Sequence, residues 1–274
     1  MKKTQHGGSI GTLFNLSGKT AVITGGCGML GLEYATILAE AGANVILLDQ
    51  LPLREIRKRL GSLPVALHAR VEGRSIDITN ESHVKKTFKD ILNKYQTIDI
   101  LVNNAALTDF SGSADRWAAY ENFSLPLWSK ELAVSLTGSF LCTRALMPHM
   151  KEARAGVIVN ISSIYGLAGP DNRIYKEGAY RSLAYSTAKS GILNFTRALA
   201  SYLSPHGVRV NTLSLGGVFA NHDEAFVRAY AARTMLGRMA KKEEYRGPLL
   251  FLCSDASAYM TGSNLVVDGG WTAW

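Results

Sequence analysis

Short apolar runs alternate along the chain with segments whose apolar positions recur at helical spacing. KTAVITG (19–25), NVILLD (44–49), IDILVNNAA (98–106), GVIVNISS (156–163), VRVNTLSLGG (208–217) and NLVVDGG (264–270) read as strands, and RSIDIT (74–79) as a weaker one. Between them, LGLEYATILAEAG (30–42) has helical spacing and ends on Gly42. ESHVKKTFKDILNKY (81–95) is amphipathic, with Val84, Phe88, Ile91 and Leu92 on one face. Residues 127–153 and 185–203 read as long helices. Strands alternating with helices predict an α/β fold: a doubly wound parallel sheet of about seven strands, helices on both faces, and a ligand site at the carboxyl ends of the strands. No repeat or Pro-rich linker divides the chain, so residues 17–274 read as one domain and residues 1–16 as a flexible tail. The stretches 108–126 and 165–184 read as loops.

Composition narrows this picture. The chain has 274 residues, 47% hydrophobic and 19% charged, which is ordinary for a globular domain. There is no apolar run of about 18 residues and no leader-like start, so neither a membrane span nor secretion is expected. Cys27, Cys142 and Cys253 lie far apart without a CxxC pair, which points to a reducing cytoplasm and away from disulfides or zinc. The histidines show no metal-ligand spacing. The net charge of +8 favours anionic ligands, yet the basic residues are scattered and no nucleic-acid motif accompanies them.

The glycine cluster TGGCGMLG (24–31) sits between the first strand and the first helix. Glycines let the backbone turn tightly there and approach a pyrophosphate, which the free N–H groups and positive end of the helix attract. Asp49 ends the second strand, where a carboxylate accepts hydrogen bonds from a ribose 2′-OH and repels a 2′-phosphate. The cofactor expected is therefore NAD, with Arg54 nearby keeping NADP open. A second cluster is YSTAK (185–189). Tyr185 and Lys189, four residues apart, share one helix face, where an ammonium favours the phenolate and fits Tyr185 for proton transfer. Upstream, NISS (160–163) ends the fifth strand and places a serine where it can hold a substrate oxygen.

Taken in order, the glycine loop, Asp49, NNAA, NISS and YSTAK make the chain similar to the short-chain dehydrogenase/reductase family from about Ser17 to the VDGG at 267–270. The resemblance implies a Rossmann fold and a homodimer or homotetramer. It assigns Ser163 to substrate orientation, Tyr185 to acid/base chemistry, and Lys189 to support of Tyr185 and the nicotinamide ribose. Gly25, Cys27, Gly28, Met29 and Leu30 would line the pyrophosphate, Asp77 and Ile78 the adenine, and Asn104 and Ala105 the strand-four contact. Leu215 to Val218, including Gly216, would lie over the nicotinamide. Four positions depart from the pattern: Met29 replaces the loop's middle glycine, Ala106 replaces the glycine of NNAG, Ser135 stands where a helix-borne Asn often completes a proton relay, and Leu215-Gly216 stands for the Pro-Gly after strand six.

The insertion between Ser163 and Tyr185 carries Arg173, Tyr175, Lys176, Tyr180 and Arg181. It suits a large polar or anionic small-molecule substrate, or else forms a solvated surface or a subunit contact. The C-terminal third resembles oxidoreductases of bacterial surface-sugar and flagellin-glycan biosynthesis. The activity expected is NAD(H)-dependent interconversion of a secondary alcohol and a ketone on a sugar derivative, phosphorylated or nucleotide-linked. The alternatives are a 3-oxoacyl thioester reductase and a catalytically weak NAD-binding scaffold. Cys27 reads as a small buried side chain, and Trp271 and Trp274 as interface, pocket-mouth or core residues.

Overall fold

The structure is a computed structural model and describes residues 9–107 and 117–274. Seven strands form one parallel sheet: β1 (Thr20–Thr24), β2 (Asn44–Asp49), β3 (Val71–Ser75), β4 (Ile100–Asn103), β5 (Gly156–Ser163), β6 (Val208–Leu215) and β7 (Asn264–Val267). Their spatial order is β3-β2-β1-β4-β5-β6-β7. The chain reverses direction across the sheet between β1 and β4, and the carboxyl ends of those two strands open the crevice where such folds hold ligands.

Both faces of the central strands are covered, which explains why they read as continuous apolar runs. Side chains alternate between two cores. Ala21, Ile23, Val45 and Leu47 face one core with α2 (Met29–Glu40) and α9 (Arg246–Cys253). Val22, Ile46 and Leu48 face the other with α4 (Glu81–Tyr95), α6 (Gly138–Ala153) and α7 (Leu183–Leu203). A third cluster, Ile164, Tyr165, Ile174, Tyr230, Met239 and Trp271, lies past the strand ends. Within the stretch read as a tail, Ile10–Leu13 form a single helical turn, α1, and Leu16 is buried in the first core.

Several elements differ from the pattern-based expectation. β3 starts three residues before RSIDIT. Ile76 and Ile78 are buried beyond the end of its pairing, so their alternation marks packing and not the ladder. The helix α3 (Leu53–Leu60) escapes periodicity because Ile56 is its only buried side chain. The short helices α8 (Glu224–Ala231) and α9 were not anticipated either. The long helix over 127–153 is instead α5 (Leu125–Leu132), a π-helical turn at Ala133–Thr137, and α6.

α2 is tied to α9 by a buried carboxylate. Glu33 accepts from Arg246 Nε at 2.6 Å and lies 2.7 Å from Lys242 Nζ. Burial pushes this carboxyl up, but hydrogen bonds and charge from Lys242 and Arg246 outweigh it and hold it below its ordinary 4.5. A carboxylate whose folded pKa is depressed stabilises the fold above its unfolded pKa and loses that contribution as pH falls through the folded one. Glu33→Gln is expected to cost about 2 kcal/mol at pH 7. In urea titrations the gap from wild type should close as pH falls below 4.5; a gap independent of pH would mean that packing, not charge, holds the helices.

Candidate active site

The end of β5 and the first turns of α7 are stitched together. Ser182 caps α7, its Oγ accepting from Tyr185 N at 3.1 Å and donating to the buried Glu131 Oε2 at 2.5 Å. Lys189, one turn beyond Tyr185, is buried and donates from Nζ to Ile161 O at 2.8 Å. Ser162 Oγ donates back to Lys189 O at 2.8 Å. Beneath them a buried polar ladder crosses the sheet. Asn103 Nδ2 donates to Asn160 Oδ1 (2.8 Å), and Asn160 Nδ2 donates to Thr196 Oγ1 (2.9 Å). Thr196 is in turn joined to Thr212 Oγ1 (2.7 Å). These buried bonds tie β4, β5, β6 and α7 together under the site, with Asn103 Oδ1 the member left without a partner.

Ser163, Tyr185 and Lys189 come together on this platform. Lys189 Nζ is 5.7 Å from the Tyr185 ring centroid, and a second cation, Arg181, places its Cζ 4.2 Å from the same ring. Burial alone raises the phenol. The Lys189 charge, then Arg181, then hydrogen bonds from Ser163 and Arg181 more than offset it, and the phenol lies below its usual 10. Lys189 is itself lowered, first by burial, with Tyr185 opposing and Arg181 reinforcing. A depressed tyrosine beside a depressed lysine is suited to proton exchange. Ser135 lies buried in the π turn, its carbonyl accepting from Ser139 Oγ at 2.8 Å. No hydrogen bond joins it to Tyr185 or Lys189.

The glycine loop passes a fit test for a pyrophosphate. Gly25 has φ +59°, and a Cβ there would lie 2.8 Å from Ala105 Cα; one at Gly31 would lie 2.5 Å from Gly25 O. α2 begins at Met29 behind Gly28 with no side-chain cap, so the N–H groups of its first turn have no partner within the helix. Leu30 packs on the first core, while Met29 is 41% exposed and does not fill the loop. Asn104 Nδ2 donates to Thr24 O (2.9 Å) and Gly25 O (3.0 Å), and Ala105 N donates to Thr24 Oγ1 (3.1 Å). Asp49 sits at the loop and not on a helix: Oδ2 accepts from Cys27 N at 3.0 Å and Oδ1 from Leu51 N at 3.2 Å. Cys27 is fully buried, its thiol pushed up to about 12 by burial first and Asp49 second, which makes it a poor nucleophile. Asp77 is exposed and accepts from Thr79; Ile78 is buried against Gly138. Gly216 abuts Asp268, and Val218 bridges to Ala240.

The inserted loop divides. Arg173 is exposed and paired with Asp171 at 2.8 Å, and Lys176 is exposed. Tyr175 turns inward: its hydroxyl is 2.7 Å from that of Tyr165, and its ring packs near Trp117 and Phe226. Trp271 is buried and stacks on Tyr230 at 4.4 Å, while Tyr230 accepts from Gly217 N. Trp274 is exposed. Sequence reasoning missed Ser182, Glu131, Trp117, Phe226, Tyr230 and Arg59. Arg59, not Arg54, reaches the loop, donating to Cys27 O at 2.9 Å. Only Ser182 carried a readable signal, a capping serine three residues before Tyr185.

Comparison with known proteins agrees with this geometry. The family profile described as Enoyl-(Acyl carrier protein) reductase matches residues 28–272. A cyclopentanol dehydrogenase of Comamonas sp. is 34% identical over 265 residues, covering 93% of this chain and 97% of that one. A 3-oxoacyl-(acyl-carrier-protein) reductase of Aquifex aeolicus is 33% identical, covering 93% and 98%. The solved short-chain dehydrogenase of Leptospira borgpetersenii with bound NAD+ superposes with a TM-score of 0.82 at 34% identity, covering 94% of each chain. A glycine loop at the β1 end, a Ser-Tyr-Lys group at the β5 end and near full-length similarity place the chain in the short-chain dehydrogenase/reductase family, as an oxidoreductase acting on CH–OH and C=O groups with a nicotinamide cofactor.

Proposed function

We propose that the protein is an NAD(H)-dependent oxidoreductase that interconverts a secondary alcohol and its ketone on a substrate with polar or anionic substituents, a class that includes sugar derivatives. The observation that carries this reading is the lowered phenol of Tyr185, flanked by Lys189, Arg181 and Ser163. In the oxidative direction Tyr185 takes the hydroxyl proton, and Ser163 donates a hydrogen bond to the same oxygen. Lys189 favours the Tyr185 phenolate through its charge and is anchored on Ile161 O. The bound nicotinamide supplies the hydride acceptor in this direction and the donor in reverse. Gly25, Gly28, Met29 and Leu30 would hold the pyrophosphate, Asp49 the adenosine ribose, and Asp77 with Ile78 the adenine.

The preference for NAD rests on Asp49. Its two backbone bonds leave acceptor capacity on both carboxylate oxygens, and its charge opposes a 2′-phosphate. Fluorescence titration should show NADH bound at least tenfold more tightly than NADPH, and Asp49→Ala should narrow that ratio to within about threefold (these bonds being worth ~1.5–3 kcal/mol). Wild-type preference for NADPH would overturn the reading and favour the second one, a 3-oxoacyl thioester reductase, which the Aquifex aeolicus relative supports. Binding of neither cofactor would leave a scaffold.

A further inference from the structure

Among the described residues no carboxylate pairs with Arg181, whose first charge partner is the phenol of Tyr185, to which it also donates a hydrogen bond. The Arg181 backbone N–H is held by Asn172 Oδ1 at 3.0 Å, directly before the cap of α7, so its position is tied to that of the catalytic helix. Its Cζ lies 4.2 Å from the Tyr185 ring centroid, 5.6 Å from that of Tyr165 and 5.9 Å from that of Trp117. Nε is shielded from solvent without a hydrogen-bond partner. Among the described residues Arg181 forms no ion pair. The carboxylates nearby are engaged elsewhere: Asp171 by Arg173 and Arg233, and Glu131 by Ser182. A cation with a desolvated, unpaired nitrogen is costly, and folded proteins keep such groups where a partner completes them.

Resting on Tyr185 as the acid/base group, we infer that Arg181 is the substrate's anion anchor and that the substrate is a hydroxy or oxo monocarboxylic acid. Its carboxylate lies on the guanidinium and its carbinol at Tyr185 and Ser163. A carboxylate fits the fork of the guanidinium in two parallel bonds. One cation balances one carboxylate, whereas a phosphate ester, at about −1.5 to −2, leaves excess negative charge among aromatic walls. Tyr165, Tyr175 and Phe226 pack in one apolar cluster beside these groups, which suits a substrate whose remaining surface is apolar.

The test is calorimetry on the NADH complex with unreactive probes: cyclohexanecarboxylate, cyclohexanecarboxamide and cyclohexyl phosphate. Wild type should bind the carboxylate at least about tenfold more tightly than the isosteric amide. Arg181→Met should erase that ratio, and Arg181→Lys, which keeps the charge but not the fork, should retain part of it. No preference in wild type, or a preference surviving in Arg181→Met, overturns the assignment. Tighter binding of the phosphate with the same Arg181 dependence overturns the monocarboxylate part. If Arg181→Met does not fold, Arg181→Gln replaces it. Failure to bind NADH would instead sink the proposed function, and the carboxylate-to-amide ratio is then read on the free protein.

Discussion

Tyr185→Phe is expected to lower kcat by about 10²–10⁴-fold, the range supplied by a positioned acid/base group. NADH should still bind within a few-fold of wild type. The substitution removes only the hydroxyl. The Tyr185 backbone N–H that Ser182 caps remains, so α7 keeps its start. The pH dependence follows from the direction of the shift. Oxidation needs the phenolate, so the rate should fall as pH drops through a pKa below 10. Lys189 is the largest lowering influence, ahead of Arg181 and Ser163, and among the described residues the phenols Tyr175 and Tyr230 also feel the charge of Tyr185. Lys189→Met should therefore move the profile to higher pH as well as lower the rate. Full activity in Tyr185→Phe would remove this mechanism, and an unmoved profile in Lys189→Met would assign the titration to another group.

Gly31→Val is expected to abolish measurable NADH binding and lower the Tm. A Cβ at Gly31 would lie 2.5 Å from Gly25 O and 2.6 Å from Gly26 O, both backbone atoms of the loop itself. The loop can admit that carbon only by moving off the helix, and with it the N–H groups that would hold the phosphates. Overpacking of this kind costs about 1–3 kcal/mol in stability, and the lost loop geometry adds a further penalty to binding. Gly28→Ala is the matched control. Its added carbon meets only Gly25 O, at 3.3 Å, and its φ of −73° suits any residue. NADH affinity in that variant should stay within a few-fold. Equal binding by both variants would show that the cofactor is not held by this loop.

Most of the sheet was legible because its central strands are buried on both faces and stand out as apolar runs between helices. β3 was misplaced for the same reason that α3 was missed: at the sheet's edge the apolar signal no longer coincides with the backbone element. Ile76 and Ile78 are buried outside the strand, and Ile56 alone anchors an otherwise polar helix. At the site, the YSTAK and NISS clusters are local in sequence, and their spacing carries their meaning. The inserted loop shows the limit. Arg173 and Arg181 look alike in sequence, yet Asp171, two residues from Arg173, neutralises the first, and aromatic rings from distant elements surround the second. Glu131 reads as one more polar residue on a long helix; only its bond to Ser182, 51 positions away, gives it a part in positioning Tyr185.

The strand order also sets a timetable. During synthesis β1, β2 and β3 emerge first, but β1 gains its second neighbour only when β4 arrives, and Thr24 Oγ1 waits for Asn104 and Ala105, 80 and 81 positions later. Such distant pairings close slowly. The nucleotide loop is among the earliest parts of the chain to be made, yet it is finished only when β4 arrives, after β2, β3 and the helices α2, α3 and α4 have emerged.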